Sequence, residues 1–258
     1  MTMTRMAVTG LAVLAAAQAF AIQGTLKTET ETLTGDIRWR ARDKNYVVSV
    51  KKGQTAVDME RKRDDVMSLD IPKPANFDKA VQLVESGSGA AAIAILQKIV
   101  DDYVMLVWDK PAGRYLALAH LSANHAQKAL EVCQKVISQD KEAGYRGALA
   151  PAYWQALLKL GKTDQLEGLL KKAASSGDRA ASAAALVMRG DIIVSRSNNS
   201  PDALRDALRD GYLRVALMYR DAECVDARAE ALDKAAQCFD KLGQSSRAET
   251  LRAQAKAL

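Results

Sequence analysis

The chain has 258 residues, of which 37 are lysine or arginine and 31 are aspartate or glutamate, and its formal net charge is +6. This excess is spread thinly, so it does not indicate nucleic-acid binding, which needs a concentrated basic patch. The chain has three cysteines, Cys133, Cys224 and Cys238. An odd number, in a chain long enough to bury a sufficient hydrophobic core, argues against a fold held together by disulfides. One disulfide between Cys133 and either of the other two stays open.

Residues 1–21 are predicted to be a secretory signal peptide. Arg5 precedes an apolar run from Met6 to about Ala17, after which small residues alternate as in a cleavage site. Cuts after Ala19 and after Ala21 both fit, and the second is preferred because it gives the longer apolar run. A helix that spans a membrane needs roughly 20 apolar residues, and neither this run nor any later segment is that long. We therefore expect a periplasmic or secreted protein with no transmembrane segment after cleavage. A buried N-terminal helix is the alternative.

Residues 22–71 alternate between apolar and polar side chains, which predicts half-buried antiparallel strands. The alternation is clearest in TLTGDIRW and NYVVSV, and AVDM and VMSLDI follow after short polar turns. This layout of four or five strands loosely resembles the small SH3-like and Sm-like barrels, so we expect a small β domain over 22–71. Pro72 and Pro74 favour extended chain, which predicts a linker over 72–75.

From Asn76 onward the sequence is rich in alanine and has a period of about 3.6 residues, which predicts helices over 76–258. Turn pairs recur at Ser86-Gly87, Ala123-Asn124, Leu160-Gly161, Ser197-Asn198 and Leu242-Gly243. The second residues of the first four pairs are 37 residues apart each time, and the fifth follows 45 later. A fixed interval of this size is typical of stacked helical hairpins. In the fourth unit the second helix is predicted from Asp202 to about Tyr219, which lengthens the last interval.

Residues at fixed distances from these turns share their character. Five positions after each turn stand Ala92, Ala129, Leu166, Ala203 and Ala248. Four positions before it stand Leu83, His120, Leu157, Val194 and Phe239. Nine positions after it stand Leu96, Cys133, Leu170, Ala207 and Arg252. The fragments KLGKTDQLEGLLKKA and KLGQSSRAETLRAQA carry this pattern best and resemble the tetratricopeptide repeat (TPR) family, although the period exceeds the family's usual 34 residues.

The predicted fold is therefore α+β and mostly α. A small antiparallel β-barrel-like N-terminal domain is followed by a right-handed α-solenoid of about five helical hairpins, as the TPR resemblance implies.

The stretch HLSANHAQKALEVC holds both histidines and one cysteine. A zinc site needs about four converging ligands, but a turn separates His120 from His125. His120 and Cys133 stand in apolar columns of the repeat, so both are predicted to pack in the core, the cysteine as a small hydrophobe. We therefore predict no catalytic residue, no metal site and no cofactor.

Arg38, Arg40 and Arg42 are predicted to share one face of a strand, where they could bind an anionic glycan or lipid headgroup. The alternative, which the sequence favours, is a solvated strand face that pairs with carboxylates such as Asp58 or Glu60 on a neighbouring strand.

The main functional hypothesis is an exported, non-enzymatic scaffold that holds a peptide or protein partner on the concave face of its repeats. The TPR resemblance implies that first helices line this face. Counting from the core columns gives its exposed residues as Arg114, Leu118, Gln155, Lys159, Met188, Ile192 and Arg196. That mixture of apolar and cationic side chains suits an acidic or amphipathic peptide, and no nucleic-acid partner is expected.

Overall fold

The computed structural model describes residues 21–197 and 199–258. The predicted signal peptide, except for Ala21, lies outside the described residues. No helix in the described ranges combines the length and the apolar character that crossing a bilayer requires.

Five strands form one antiparallel sheet: β1 (Ile22–Lys27), β2 (Thr32–Arg40), β3 (Asn45–Lys52), β4 (Thr55–Lys62) and β5 (Ser68–Asp70). Their order across the sheet is β4-β3-β2-β1-β5. Strand β5 has three residues and pairs with β1, with Leu26 opposite Leu69, and leaves β4 as the other free edge. The expectation of a barrel-like closure is therefore wrong. So short a last strand cannot join β1 to β4, and a loop covers the apolar face instead.

This loop comprises residues 103–108 and is called the docking loop below. Its residues Met105 and Leu106 are buried against the apolar face of the sheet, where Leu26, Ile37 and Val48 are also buried. The hydroxyl of Tyr46 on β3 donates a hydrogen bond to the Met105 carbonyl at 3.0 Å. The sheet thus completes its hydrophobic core with residues that the chain supplies between two helices.

The docking loop adopts a backbone conformation that side chains rarely tolerate. Met105 has a φ of 60° and Val107 a φ of 73°, and a β-branched residue is especially uncommon in this region. Asp109 accepts a hydrogen bond from the Met105 N–H at 2.9 Å, and the Trp108 indole donates to the Ile71 carbonyl at 2.8 Å. Burial and these hydrogen bonds together hold the strained conformation.

Eleven α-helices follow in the described ranges. They are α1 (Phe77–Glu85), α2 (Gly89–Asp102), α3 (Asp109–Ser122), α4 (Ala126–Gln139), α5 (Ala150–Lys159), α6 (Thr163–Ala174), α7 (Arg179–Arg196), α8 (Pro201–Ala207), α9 (Leu213–Met218), α10 (Val225–Lys241) and α11 (Ser245–Lys256). A π-helical turn, Leu208–Tyr212, joins α8 to α9. The helices form five hairpins, and the predicted long second arm of the fourth hairpin is the α8–α9 segment.

A residue in the left-handed conformation lies in the turn after the first helix of every hairpin. In the first, second, third and fifth hairpins these residues are Gly87, Asn124, Gly161 and Gly243, and Asn199 lies in the fourth turn; their φ angles lie between 60° and 81°. Residue 198 lies outside the described residues, but the Asn199 N–H donates to the Val194 carbonyl at 3.4 Å, which fits the predicted position of the fourth turn. The backbone N–H of the following residue reaches back to the helix in three turns, as from Lys162 to Leu157 at 2.9 Å. This Schellman geometry is why glycine and asparagine recur at these positions.

The predicted columns lie in or against the core, except that Arg252 of the third column is exposed. All five residues of the column after the turns are buried. One hydrophobic core runs from α1 to α7, and a second joins α7 to α8, α9 and α10. Helix α7 contributes Met188 and Ile192 to the first core and Ala183 and Val187 to the second. It is therefore packed on two sides.

Candidate peptide-binding groove

A groove of about 760 Å³ is lined mainly by α3, α5, α7 and α10, the first helices of four successive hairpins. Small residues make up much of its lining: Gly147, Ala148, Ala150, Ala180, Ala181, Ala184, Ala227 and Ala229. Because no side chain larger than a methyl group projects from these positions, the helices enclose an open space. Trp154 closes the base of the groove and is fixed by a 2.9 Å hydrogen bond from its indole to the Gly144 carbonyl.

One side of the groove carries the acidic stripe, which we define as Glu223, Asp226, Glu230 and Asp233. Their spacing of three, four and three residues places them on one face of α10 and the short turn before it. Glu230 pairs with Lys234 at 3.1 Å, and Lys234 also pairs with Asp191 of α7. Among the described residues, the other three carboxylates of the stripe form no ion pair, and all three are exposed.

The remaining charged groups of the groove are Glu85, Arg114, Arg146 and Lys234. The Arg114 guanidinium lies over the Tyr115 ring, 5.5 Å from its centroid, and Arg146 pairs with Glu142. Five carboxylates and three cations therefore line the groove. This balance differs from the mixture of apolar and cationic side chains that the sequence predicted.

Tyr115 shows that charges on α3 and α10 act on one another. Burial raises the pKa of Tyr115; the positive charge of Arg114 opposes this rise, and the negative charges of Glu85 and Asp226 add to it. The Tyr115 hydroxyl donates to Glu85 at 3.5 Å. Asp226 of the acidic stripe is thus close enough to Tyr115 of α3 for its charge to affect that side chain.

The seven residues predicted to line the concave face do not share one surface, although Ile192 and Arg196 line one hollow of about 490 Å³ between α6 and α7. Only Arg114 lines the groove. Leu118 packs partly buried against the first core, and Gln155 is half-buried. Lys159 lies in a separate hollow with His125, and Arg196 is exposed and pairs with Glu167 at 2.7 Å.

The prediction of an exposed position is wrong for Met188 and Ile192. They are only 3% and 5% exposed, because α7 packs against α6 on one side and against the α8–α10 region on the other. The prediction placed exposed residues at fixed distances from the turns, which holds only if α7 has the same neighbours as α3 and α5. The acidic stripe was missed, although its three-four-three spacing is visible in the sequence.

His120 and Cys133 both lie in the core, as predicted. Cys133 is fully buried, and burial raises the pKa of its thiol to about 12, which suppresses the reactive thiolate. His120 is 8% exposed, and its Nδ1 atom has no hydrogen-bond partner among the residues that the structure describes. Within residues 21–197 and 199–258, no group of three or more His, Cys, Asp or Glu side chains could hold a metal ion. The three cysteines are all buried and unpaired.

Substitution of His120 by leucine should raise the free energy of unfolding by up to about 1 kcal/mol, because it removes a buried polar atom without a partner. Burial, together with the nearby charges of Lys128 and His125, lowers the pKa of His120. As the pH falls, the imidazole of His120 is therefore protonated in the unfolded chain before it is protonated in the folded protein. The free energy of unfolding should decrease as the pH falls below about 6.5.

Urea unfolding of the wild type and His120→Leu at about pH 5 and about pH 7.5 would check both effects. The variant should lose less stability between the two values than the wild type. Gln134→Leu, at an exposed position of α4, is the control and should keep the pH dependence of the wild type. An equal pH dependence in wild type and His120→Leu would contradict the assignment of His120 as a desolvated core residue.

The basic face of the sheet is largely neutralised. Arg38 pairs with Asp58 at 2.5 Å, and Arg40 pairs with Glu60 at 2.6 Å, which confirms the predicted alternative of cross-strand pairing. Arg42 does not share their strand, because β2 ends at Arg40 and Arg42 lies in the turn before β3. The sheet therefore does not present three adjacent free guanidinium groups to an anionic polymer.

No family model and no curated protein matches the chain. Solved structures that resemble it are TPR-like repeat proteins. Two are crystal structures of a protein described as a Podosopora anserina putative kinesin light chain with nearly identical TPR-like repeats, and one of the two carries a single substitution. Each is 14% identical to this chain, covers 71% of this chain and 92% of its own length, and has a TM-score of 0.40. The third is MamA of AMB-1, which is 16% identical and covers 71% of this chain and 96% of its own, with a TM-score of 0.36.

Proposed function

We propose that this chain is a non-enzymatic interaction scaffold that holds a peptide, or a segment of a partner protein, in the groove of α3, α5, α7 and α10. The observation that carries this proposal is the groove itself. Its volume of about 760 Å³ falls in the range of ligand sites, its floor is apolar and its rim is charged. Stacked hairpins that form a right-handed solenoid present such extended surfaces to partner proteins.

The lining favours a polypeptide segment over a small molecule. Four helices from successive hairpins contribute to it, so the groove extends across the stack rather than forming a closed cavity. Alanine and glycine side chains leave room for a backbone to approach closely. Charged groups at the rim can then pair with side chains of the bound segment.

Site-specific photo-crosslinking in the source cells would test this function. A photoreactive phenylalanine analogue at Ala229, inside the groove, should yield a crosslinked partner. The same analogue at Ala94, an exposed position on α2, is the control. The additional substitution Ala180→Trp, which fills the groove, should abolish the adduct. Adducts of equal yield at both positions, or an adduct that survives Ala180→Trp, would contradict the proposal.

Export is the second part of the proposal, and its support is the N-terminal sequence. Strand β1 begins at Ile22, so a cut after Ala21 would leave all five strands intact. N-terminal sequencing of protein purified from the source cells should therefore begin at Ile22. Protein that retains Met1 and remains in the cytoplasmic fraction would contradict export without affecting the groove.

A further inference from the structure

We infer that the groove selects a cationic segment, in which lysine or arginine side chains of the partner pair with the acidic stripe. The inference rests on the proposed function of the groove and deepens it by fixing the charge of the occupant. It reverses the expectation from the sequence, which favoured an acidic or amphipathic peptide.

The charges that remain available in the groove favour a cationic occupant. Two of the three cations in the lining are already engaged, Lys234 by Asp191 and Glu230 and Arg146 by Glu142. Three carboxylates of the stripe form no ion pair in the described part of the chain: Glu223, Asp226 and Asp233. The groove is therefore locally acidic in a chain whose net charge is +6.

The acidic stripe is unfavourable for its own helix. Like charges three or four residues apart on a helix repel one another and destabilise the helix. The helix dipole favours an acid in the first turn, which accounts for Asp226. It does not account for Asp233, which lies two turns further along α10. Within the groove only Glu230 has a cation beside it, so the stripe lacks a full structural explanation.

The length of the stripe and the apolar floor beside it fit an extended cationic segment. The stripe extends from Glu223 to Asp233, ten residues apart, which is about 15 Å at the helical rise and matches four or five residues of an extended chain. The neighbouring floor includes Ala227, Ala229 and Ala181. Lysine and arginine can lay their aliphatic stems on such a surface while their charged ends reach carboxylates. Apolar floor and acidic rim therefore suit the same two side chains.

Two synthetic fluorescent peptides would test the inference. They have equal length and the same apolar residues, with lysine at the charged positions of one and glutamate at those of the other. The lysine peptide should bind in fluorescence anisotropy, with an affinity that falls as salt rises, and the glutamate peptide should not. The triple variant Glu223→Gln/Asp226→Asn/Asp233→Asn should weaken the lysine peptide about tenfold, in keeping with small contributions from exposed pairs.

A matched triple variant separates the stripe from overall charge. Asp64→Asn/Asp65→Asn/Glu249→Gln removes the same charge from exposed positions outside the groove and should retain binding. Equal weakening by both triple variants, or equal binding of both peptides, would overturn the inference.

The Ala180→Trp variant distinguishes failure of the inference from failure of the proposed function. If it blocks both peptides while the stripe variant blocks neither, the groove binds peptides without selecting charge. If peptides bind equally well to Ala180→Trp and to the control Ala94→Trp, the groove is not the binding site and both proposals fail.

Discussion

Replacement of Gly211 by alanine is expected to lower the free energy of unfolding by about 3 kcal/mol, at the upper end of the cost of overpacking a core. A Cβ atom at residue 211 would lie 2.9 Å from the Gly190 Cα and 3.0 Å from the Leu186 carbonyl oxygen. Both atoms belong to the backbone of α7 and cannot rotate away. The π-helical turn would therefore have to separate from α7 and open the second core.

Urea denaturation measures this loss, and a glycine elsewhere in the chain gives a matched control. A Cβ atom added at Gly168, within α6, would meet nothing within 4 Å. Gly168→Ala should therefore raise stability by about 0.5–1 kcal/mol, because it restricts the unfolded chain and favours the helix. A loss below about 1 kcal/mol for Gly211→Ala would show that the two segments are not in close contact.

Replacement of Asp140 by alanine is expected to cost about 2–3 kcal/mol. This carboxylate is 5% exposed and pairs with Arg63, which lies directly after β4, at 3.1 Å and with Lys110 of α3 at 2.6 Å. Removal of the anion leaves two cations without compensation, which costs about 3–5 kcal/mol for a fully buried pair. Both cations are partly exposed to water, so the lower figure applies.

Asp140 should also make the free energy of unfolding depend on pH, in a direction that its surroundings determine. Burial opposes ionisation of Asp140, but the hydrogen bond and charge of Lys110, together with the charge of Arg63, hold its pKa below the usual value. The stability that it contributes is therefore present at neutral pH and is lost as the pH falls through the lowered pKa. Acid unfolding of Asp140→Asn should lack this component. Identical acid-unfolding profiles for wild type and variant would refute the role of Asp140 as a link between sheet and helices.

The helical region could be predicted from the sequence because its pattern depends on residues that are close together in the chain. A left-handed residue after each first helix requires glycine or asparagine, and these residues recur at intervals that the sequence displays. The strands were predictable for a similar reason, since alternation follows from one buried face. His120 and Cys133 could be assigned to the core because other repeats hold leucine at the same positions.

What could not be predicted depends on contacts between distant segments. The docking loop meets the sheet through pairs such as Tyr46 and Met105, which lie 59 residues apart in the chain. No periodicity links the two. Met188 and Ile192 were misassigned to an exposed surface for a related reason, because α7 packs with the earlier helices and these two residues lie in the first core.

The docking loop also bears on the order in which the protein can assemble on the ribosome. The five strands are complete by Asp70, but Met105 and Leu106 have yet to be synthesised. Until they emerge, Leu26, Ile37 and Val48 face solvent, and a sheet with one uncovered apolar face invites association with other chains. The nascent sheet should therefore wait for α2 and the docking loop, and a fragment that ends at the prolines should aggregate. We therefore expect the sheet and the docking loop to fold as one cooperative unit, although the sequence pattern predicts two domains.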